Sequence, residues 1–344
     1  MKKNLLSLTL LFIAAAAYSQ QLAGGYVYED ANKNGKKDRR EAGIANVALS
    51  NGTEVVLTDR NGFYTLPIEA GNTIFVIKPK GYGMTVDEDF IPQFYYHYKP
   101  DGSPDKFKYK GTTPTGKLPK SVDFALFRQE EPDNFSAIIF GDPQPYSIQD
   151  MDYFTKKIVE DVKKKENTLF GISLGDIVGD NLDLQPVYKE RMRHLKLPWY
   201  NVMGNHDMNL DAPTDILSDE TFEKNFGSAN YSFNYGNAHF IILDDILYPD
   251  PRDGKGYWAG YREDQLRFLE NNLKHVPADK LVVLSQHIQM KDDTGNSFRL
   301  EDRQRVFDLL KPYENVLIMS AHTHLQDQIE YTEINGWKGN KPLH

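Results

Sequence analysis

Five short apolar runs in the second half of the chain are each followed by side chains that bind metals or protons. The runs at 137–140, 171–174, 200–203, 281–285 and 316–320 precede, in order, Asp142 with Gln144, Asp176, Asn205 with His206 and Asp207, His287, and His322 with His324. Carboxylate, amide oxygen and imidazole, without any thiolate, suit divalent ions such as Mn, Fe or Zn acting as Lewis acids. Leaving His206 and Asp207 aside, seven ligands are too many for one ion that also holds water and substrate, and they match two ions sharing a carboxylate.

The elements that must position these residues are strands buried on both faces. Continuous runs of Val, Ile, Leu and Phe are typical of such strands, and stretches of mixed charge near 150–166, 185–195, 263–274 and 301–310 predict the helices that cover them. The pattern indicates an α/β domain. In open α/β sheets, ligand sites lie at the carboxyl ends of the strands, which is where the polar residues fall.

Each motif taken alone has a plainer interpretation. A Gly-Asp pair after a strand is commonly a turn or a helix cap, 205–207 could be a polar turn, and His322 and His324 could be half-buried imidazoles. Their occurrence together, in order and each at a strand end, favours a functional site. The remaining histidines lack such a context and are expected on the surface or in the core, at His97, His194, His239 and His275.

The combined pattern resembles a known enzyme family. Asp-x-Gln at 142–144, Gly-Asp-x-x-x-Asp at 175–180, Gly-Asn-His-Asp at 204–207, His287 and Ala-His-x-His at 321–324 are similar to the motifs of the calcineurin-like metallophosphoesterases, over roughly 135 to 330. The resemblance implies a four-layer sandwich of two mixed sheets flanked by helices. It is closest in arrangement to exported bacterial members that carry an N-terminal β-sandwich domain.

The resemblance also implies a ligand set for two divalent ions. One ion would be held by Asp142, Gln144, Asp176 and His324, and the second by the bridging Asp176 with Asn205, His287 and His322. His206 would stand unliganded near the substrate, oriented by Asp207, while Asp180 and Asn181 would shape the loop. Position 144 is usually His in the family, and an amide oxygen is a weaker ligand, so Gln144 favours Mn or Fe over Zn.

A phosphoesterase mechanism follows from ordinary metal catalysis. Two ions lower the pKa of a bridging water, so that hydroxide can attack phosphorus near neutral pH. His206 would stabilise the charge developing on the leaving group or protonate it. The expected substrate is a small phosphomonoester or phosphodiester. The alternative is a surface binding module whose second domain is a catalytically silent metal scaffold.

The first part of the mature chain, 20–130, predicts a small antiparallel β-sandwich. Alternating apolar and polar residues at 46–50, 53–57, 63–66 and 73–77 are separated by Asn-Gly and Gly-Asn turns. The polar segment 130–134 is the predicted linker, which gives a domain at 20–130 and a phosphoesterase domain at 131–344. The aromatic stretch 90–98 either packs in the core or between domains, or stacks on a ligand.

A calcium loop is predicted within this sandwich. The segment 30–41 matches the pattern D-x-[DN]-x-[DN]-G-x₅-E, with ligands from Asp30, Asn32, Asn34, the Lys36 carbonyl, Asp38 and Glu41. It is similar to calcium loops of repeat domains in bacterial surface proteins (SdrD-B-like, carboxypeptidase-regulatory-like). With three anionic ligands and several nearby basic residues, we expect modest affinity and a structural role. The alternative is a hydrophilic hairpin without an ion.

The N-terminal residues predict export. Lys2 and Lys3 precede an apolar run at 5–17, and 17–19 has small residues at the positions that a signal peptidase reads, so 1–19 is a predicted signal peptide; the alternative is a membrane anchor. Export to the periplasm or outside the cell and no later membrane span are expected. The chain has no cysteine, so disulfides are excluded.

Charge and length limit the partners. A net charge of −9 argues against a nucleic-acid polymer as partner. Similar exported family members continue into a further domain, so a C-terminal truncation at His344 is one expectation.

Overall fold

The structure is a computed structural model that describes residues 21–163, 165, 167–291, 297–339, 341 and 343. The predicted signal peptide at 1–19 lies outside the described residues. Within the described part, no helix combines the length and the apolar character needed to cross a bilayer.

The first eight strands form two four-stranded sheets of a β-sandwich. The strand order is β4-β1-β8-β6 in one sheet and β3-β2-β5-β7 in the other. All pairs are antiparallel except β1 with β8. In β4, alternate residues are buried and exposed, as the period of the sequence predicts. The strands are β1 Leu22–Glu29, β2 Ala48–Ser50, β3 Val55–Leu57, β4 Phe63–Pro67, β5 Thr73–Val76, β6 Tyr82–Met84, β7 Tyr95–His97 and β8 Phe124–Arg128.

The remaining strands form two further sheets and a hairpin. A three-stranded parallel sheet has the order β11-β10-β9, and a four-stranded mixed sheet has the order β12-β13-β16-β17, with β12 antiparallel to its neighbour. The short strands β14 and β15 pair with each other. The strands are β9 Ser136–Phe140, β10 Thr168–Leu174, β11 Trp199–Val202, β12 Tyr231–Tyr235, β13 Ala238–Ile242, β14 Ile246–Leu247, β15 Trp258–Ala259, β16 Leu281–Ser285 and β17 Asn315–Met319.

Helices connect these strands, as the alternating sequence pattern predicts. The first continues through a π-helical segment, Thr155–Val159, into a short second helix. Short 3₁₀ turns lie at Leu182–Leu184, Arg193–Leu195, Asn205–Asp207, Asp215–Leu217 and Glu333–Asn335. The helices are α1 Ile148–Phe154, α2 Glu160–Val162, α3 Gln185–Met192, α4 Glu220–Phe226, α5 Glu263–Leu273 and α6 Leu300–Leu310.

An aromatic layer joins the two sheets of the second half. Tyr200 on β11 stacks on Phe233 of β12 with ring centroids 3.9 Å apart, and Phe233 stacks on Phe240 of β13 at 4.8 Å. Phe170 on β10 meets Phe240 edge to face. Because large buried rings dominate the energetics of a core, this layer fixes the two sheets face to face. The α/β sandwich of two sheets with helices, preceded by an all-β region, is the fold that the sequence predicts.

The β-sandwich packs against the α/β half through buried contacts. Lys99 lies 2.6 Å from a carboxylate oxygen of Glu220 and 2.5 Å from one of Glu223, and all three side chains are buried. Phe94 packs on Tyr231 with centroids 4.7 Å apart. The aromatic stretch at 90–98 therefore contributes to the contact between the two regions.

Candidate metal centre

The polar residues of the five motifs follow strands that end at one edge of the α/β half. Each comes two or three residues after its strand, where the chain has left the sheet and its side chains are free to converge. The strand and residue pairs are β9 with Asp142, β10 with Asp176, β11 with Asn205, β16 with His287 and β17 with His322.

The inner part of the cluster is formed by Asp176, Asn205, His287 and His322. The ligand atoms of Asp176, His287 and His322 all lie within 4.8 Å of one another. Nε2 of His287 is 3.3 Å from Oδ1 of Asp176 and 3.1 Å from Oδ1 of Asn205. It is also 3.2 Å from Nδ1 of His322. Four side chains thus direct lone-pair atoms at one small volume.

The tautomer of His287 shows that this volume fits a cation. Nδ1 of His287 lies 2.8 Å from the carbonyl oxygen of Leu174, which can only accept, so Nδ1 carries the proton. In neutral His287, Nε2 is then a bare acceptor that faces other acceptors at short range. Such a set is repulsive unless a proton or a metal cation lies among them, and a backbone carbonyl that orients the imidazole is typical of metal-ligating histidines.

The pKa values of His287 and His322 depend on the charges of this cluster. Burial opposes the charged form of His287, but the hydrogen bond and the charge of Asp176 outweigh burial and raise its pKa to about 9. Burial and then the charge on His287 lower the pKa of His322 to about 4. A proton on Nε2 of His287 can therefore supply the positive charge that these acceptors require, and a bound metal cation would replace that proton.

The outer part of the cluster contains Asp142, Gln144 and His324 and is more open. Nε2 of His324 is 3.9 Å from Oδ1 of Asp142, and the His324 side chain is 60 % exposed. The Asp142 carboxylate accepts a hydrogen bond from the backbone N–H of His322. The backbone N–H of Gln144 donates to the carbonyl of Asp176 at 2.9 Å, which holds the first and second motifs together.

Backbone strain is concentrated at this site. Residues other than glycine rarely adopt positive φ, and such conformations cost about 1–3 kcal/mol when the surrounding structure imposes them. Five of the seven predicted metal ligands adopt positive φ, and so does the neighbouring Asp180. The φ values are 44° for Asp142, 41° for Gln144, 47° for Asp176, 60° for Asp180, 70° for His322 and 54° for His324.

His206 lies beside the cluster and is paired with Asp180. Its Nδ1 is 2.7 Å from Oδ1 of Asp180, and its Nε2 is 3.9 Å from Oδ2 of Asp176. Its backbone N–H donates to Oδ1 of Asp176 at 2.9 Å. The side chain is 26 % exposed, so it reaches both the cluster and solvent.

The structure corrects the expected role of Asp207. Its buried carboxylate accepts hydrogen bonds from the backbone N–H groups of Ile177, Val178 and Gly204, at 2.9–3.2 Å. Asp207 therefore ties the second motif to the third, and the residue that orients His206 is Asp180, which the sequence analysis assigned to loop shape. Asn181 does shape that loop, because its side chain caps the turn at Leu182–Leu184.

A sixth strand end carries a residue that the sequence analysis missed. Asp245 follows β13 and is buried, and its carboxylate accepts from the backbone N–H groups of His287 and Ile288, at 3.1 and 2.8 Å. It thereby fixes the turn that presents His287. The signal was available, since an apolar run at 240–243 leads directly into two aspartates.

The predicted calcium residues form one compact loop. Asp30 is fully buried, and its two carboxylate oxygens accept from the backbone N–H groups of Asn34 and Gly35, at 3.1 and 2.7 Å. The side-chain amides of Asn32 and Asn34 donate to the Asp38 carboxylate, and the backbone N–H of Lys36 donates to the side chain of Asn34. The Glu41 carboxylate accepts from the backbone N–H groups of Ala31 and Asp38.

The chain is thus an α/β protein whose two packed sheets bring carboxylate, amide and imidazole groups to one edge, and side chains of these types could hold a divalent metal ion. The chain belongs to the calcineurin-like phosphoesterases: the sequence profile of the calcineurin-like phosphoesterase domain matches residues 135–326. A second profile, described as the N terminal of calcineurin-like phosphoesterase, matches residues 31–113.

Individual relatives are distant. The chain is 27 % identical over 158 residues to the probable glycerophosphodiester phosphodiesterase GpdQ of Arcobacter nitrofigilis, which covers 44 % of this chain and 55 % of that protein. It is 47 % identical over 57 residues to colossin-A of Dictyostelium discoideum, covering 16 % of this chain and, after rounding, 0 % of that protein. The chain thus spans about half the length of the GpdQ relative. A dimetal phosphatase from Danio rerio superposes with a TM-score of 0.40 and 15 % identity, over 55 % of this chain and 82 % of that structure.

Proposed function

We propose that this protein is an exported phosphoesterase with two divalent metal ions that hydrolyses small phosphomonoesters or phosphodiesters. The observation that carries the proposal is the set of acceptor atoms of Asp176, Asn205 and His322 gathered around Nε2 of His287, with His206 adjacent. Membership of the phosphoesterase family supports it. The distant relative named as a glycerophosphodiester phosphodiesterase is consistent with ester hydrolysis.

The residue types of the five motifs suit two ions that share Asp176. The outer ion would be held by Asp142, Gln144, Asp176 and His324, and the inner ion by Asp176, Asn205, His287 and His322. When bound, such ions supply a water that is activated near neutral pH and offset the negative charge of the phosphoryl oxygens. The amide oxygen of Gln144 makes the outer site weaker than an imidazole would, which favours Mn or Fe over Zn.

His206, paired with Asp180, would protonate the leaving group. Because Nδ1 of His206 lies against the Asp180 carboxylate, Nδ1 carries a proton and Nε2 is left to exchange one. In the protonated form of His206, Nε2 would donate to the departing alkoxide oxygen while Nδ1 stays bonded to the carboxylate. A positioned general acid of this kind contributes about 10²–10⁴-fold in rate.

Hydrolysis of p-nitrophenyl phosphate and bis(p-nitrophenyl) phosphate tests the proposal. Purified protein is treated with chelator and reloaded with Mn, Fe or Zn, and nitrophenol release is followed. We expect turnover of at least one ester, highest with Mn or Fe, and none after Asp176→Asn. Failure on both esters with all three metals contradicts the proposal and favours the alternative, a surface binding module with a silent metal scaffold.

We also propose that the loop at 30–41 binds one structural calcium ion. Both carboxylate oxygens of Asp30 are turned into the loop, which supports this, since the first position of a calcium loop supplies a ligand oxygen. Isothermal titration of the full chain should give one site of modest affinity, lost in Asp30→Asn. Absence of heat with Ca²⁺ in the wild type contradicts this proposal.

We infer export from the sequence at 1–19, with a periplasmic or extracellular mature protein and a small phosphorylated substrate as its partner. Mass spectrometry of the protein recovered from cell fractions tests this. A mature N-terminus at or near Gln20 in the exported fraction is expected, and recovery of the intact chain from the cytoplasm contradicts it.

A further inference from the structure

An exposed aromatic ring lies beside the pair that would act on the leaving group. Tyr146 is 57 % exposed, although tyrosine is large and mostly apolar. Its ring meets the imidazole of His206 edge to face, with centroids 6.2 Å apart and an interplanar angle of 74°. The ring is therefore next to the imidazole and yet open to solvent.

The ring of Tyr146 is held in place by the two loops that carry the first and second motifs. A methyl carbon on Gly179 would lie 2.5 Å from the ring, so the ring rests directly on the backbone of Gly179. The backbone N–H of Gly179 donates to the carbonyl of Pro145 at 3.0 Å. Nε2 of Gln144 donates to the tyrosine hydroxyl at 3.2 Å. One side of the ring is thus supported, and the rest faces solvent.

The position of this ring matters because of where a leaving group must be. If His206 protonates the departing oxygen, the organic part of the substrate lies on the His206 side of the centre. In the part of the chain that the structure describes, the exposed ring of Tyr146 lies edge to face with that imidazole. Another aromatic ring, Tyr257, is half-buried and lies against His322, with centroids 6.3 Å apart.

We propose that Tyr146 is a specificity-determining residue that stacks on a planar ring of the leaving group, so that the preferred substrates are aryl or nucleoside phosphate esters. This rests on the proposed function, because the placement of the leaving group follows from the role of His206. Stacking on an aromatic side chain contributes to binding for any planar ring, since each offers a π face. A small alkyl leaving group gains little from the same surface.

Three esters and three variants test the proposal. Phenyl phosphate and adenosine monophosphate carry a ring, and ethyl phosphate does not. For Tyr146→Leu we expect kcat/KM to fall about tenfold for both ring esters, mainly through KM, and to change less than about twofold for ethyl phosphate. Tyr146→Phe should retain the wild-type preference. Tyr153→Leu is the matched control. Tyr153 is exposed to the same degree, at 56 %, and its hydroxyl likewise accepts a hydrogen bond from a glutamine, Gln149 on helix α1.

A binding measurement separates this inference from the proposed function. Calorimetry compares phenylphosphonate with methylphosphonate, neither of which has an ester bond to hydrolyse. Wild type and Tyr153→Leu should bind phenylphosphonate about tenfold more tightly, and Tyr146→Leu should lose that difference. If the protein prefers phenylphosphonate in this way but hydrolyses no ester, stacking on Tyr146 is supported and the phosphoesterase proposal fails.

Two outcomes overturn the inference. The first is an equal loss for all three esters in Tyr146→Leu, which would mean that the ring acts only by holding His206 or the loop. The second is equal affinity of the wild type for the two phosphonates. Loss for phenyl phosphate but not for adenosine monophosphate supports stacking and assigns the site to aryl rather than nucleoside esters.

Discussion

The carboxylate of Asp180 lies 2.7 Å from Nδ1 of His206, although 26 positions separate the two residues in the chain. The pair joins the loop after β10 to the turn after β11. It fixes which nitrogen of His206 carries the proton and directs the other towards the candidate metal centre. A pair of this geometry holds the imidazole in one orientation and one tautomer, and its loss has consequences that can be measured.

Removing the carboxylate of Asp180 should slow turnover without loss of metal. We expect Asp180→Asn to lower kcat by about 10²-fold, and the double variant with His206→Ala to be little worse than His206→Ala alone, because the two act as a unit. Steady-state kinetics of the four proteins check this. Asp183→Asn, at an exposed aspartate in the same loop, is the control. Full additivity of the two losses would contradict the pairing.

Metal content should distinguish the bridging carboxylate from His206. We expect Asp176→Asn to be purified with less than half of the wild-type metal, since both ions would share this ligand, whereas His206→Ala should keep its metal and lose most turnover. Elemental analysis by mass spectrometry measures this directly. A His206→Ala protein that loses one ion would make His206 a ligand instead.

Asp207 should act on stability rather than on the chemistry. In Asp207→Ala, three buried N–H groups, of Ile177, Val178 and Gly204, lose their acceptor, and we expect about 3 kcal/mol or more of destabilisation. Urea unfolding monitored by circular dichroism provides the value. Asp101→Ala, at an exposed aspartate, should change stability by less than about 0.5 kcal/mol. Wild-type stability in Asp207→Ala would show that water or other groups replace the carboxylate.

The buried contact of Lys99 with Glu220 and Glu223 should be strong and dependent on pH. Burial opposes ionisation of Glu223, but Lys99 outweighs it and lowers the pKa of Glu223 below its ordinary value of 4.5. A carboxyl whose folded-state pKa is lowered stabilises the fold above its unfolded pKa and loses that contribution as the pH falls below about 4.5. In Lys99→Met, His97 and the hydrogen bond from Thr73 are left to oppose the effect of burial on Glu223. Burial then dominates, so the sign reverses and protonation of the carboxyl relieves the cost.

We therefore expect Lys99→Met to be destabilised by about 3–5 kcal/mol at pH 7, with a smaller difference from the wild type as the pH falls towards 4.5. Chemical unfolding at several pH values measures this difference. Lys120→Met, at an exposed lysine, serves as the control and should follow the wild type throughout. A difference that stays constant with pH would mean that the carboxylates remain ionised without Lys99.

Most of the α/β architecture could be predicted from local patterns, but strand β12 and helix α4 were not predicted. Helices α5 and α6 and the five strands that precede the motifs lie within a few residues of their predicted bounds. The expectation that all five strands are buried on both faces is wrong for β9 and β17, which are only partly buried because they lie at the edges of their sheets. Helix α4 was not predicted. Six of its seven residues are buried, including Glu220 and Glu223, so it has no polar face to produce a helical period. The negative charges of these two glutamates are compensated by Lys99 of the β-sandwich, and no local sequence pattern predicts that contact.

The sequence by itself determined which side chains follow which strands, and therefore the composition of the cluster, because a strand delivers the residues after it to the edge of its sheet. Only the tertiary structure decided what those side chains contact. Asp207 adjoins His206 in sequence, but successive residues of a 3₁₀ turn point about 120° apart, so Asp207 faces inward to the backbone while His206 faces the centre. The partner of His206 comes instead from another strand end, and that proximity depends on how two loops pack.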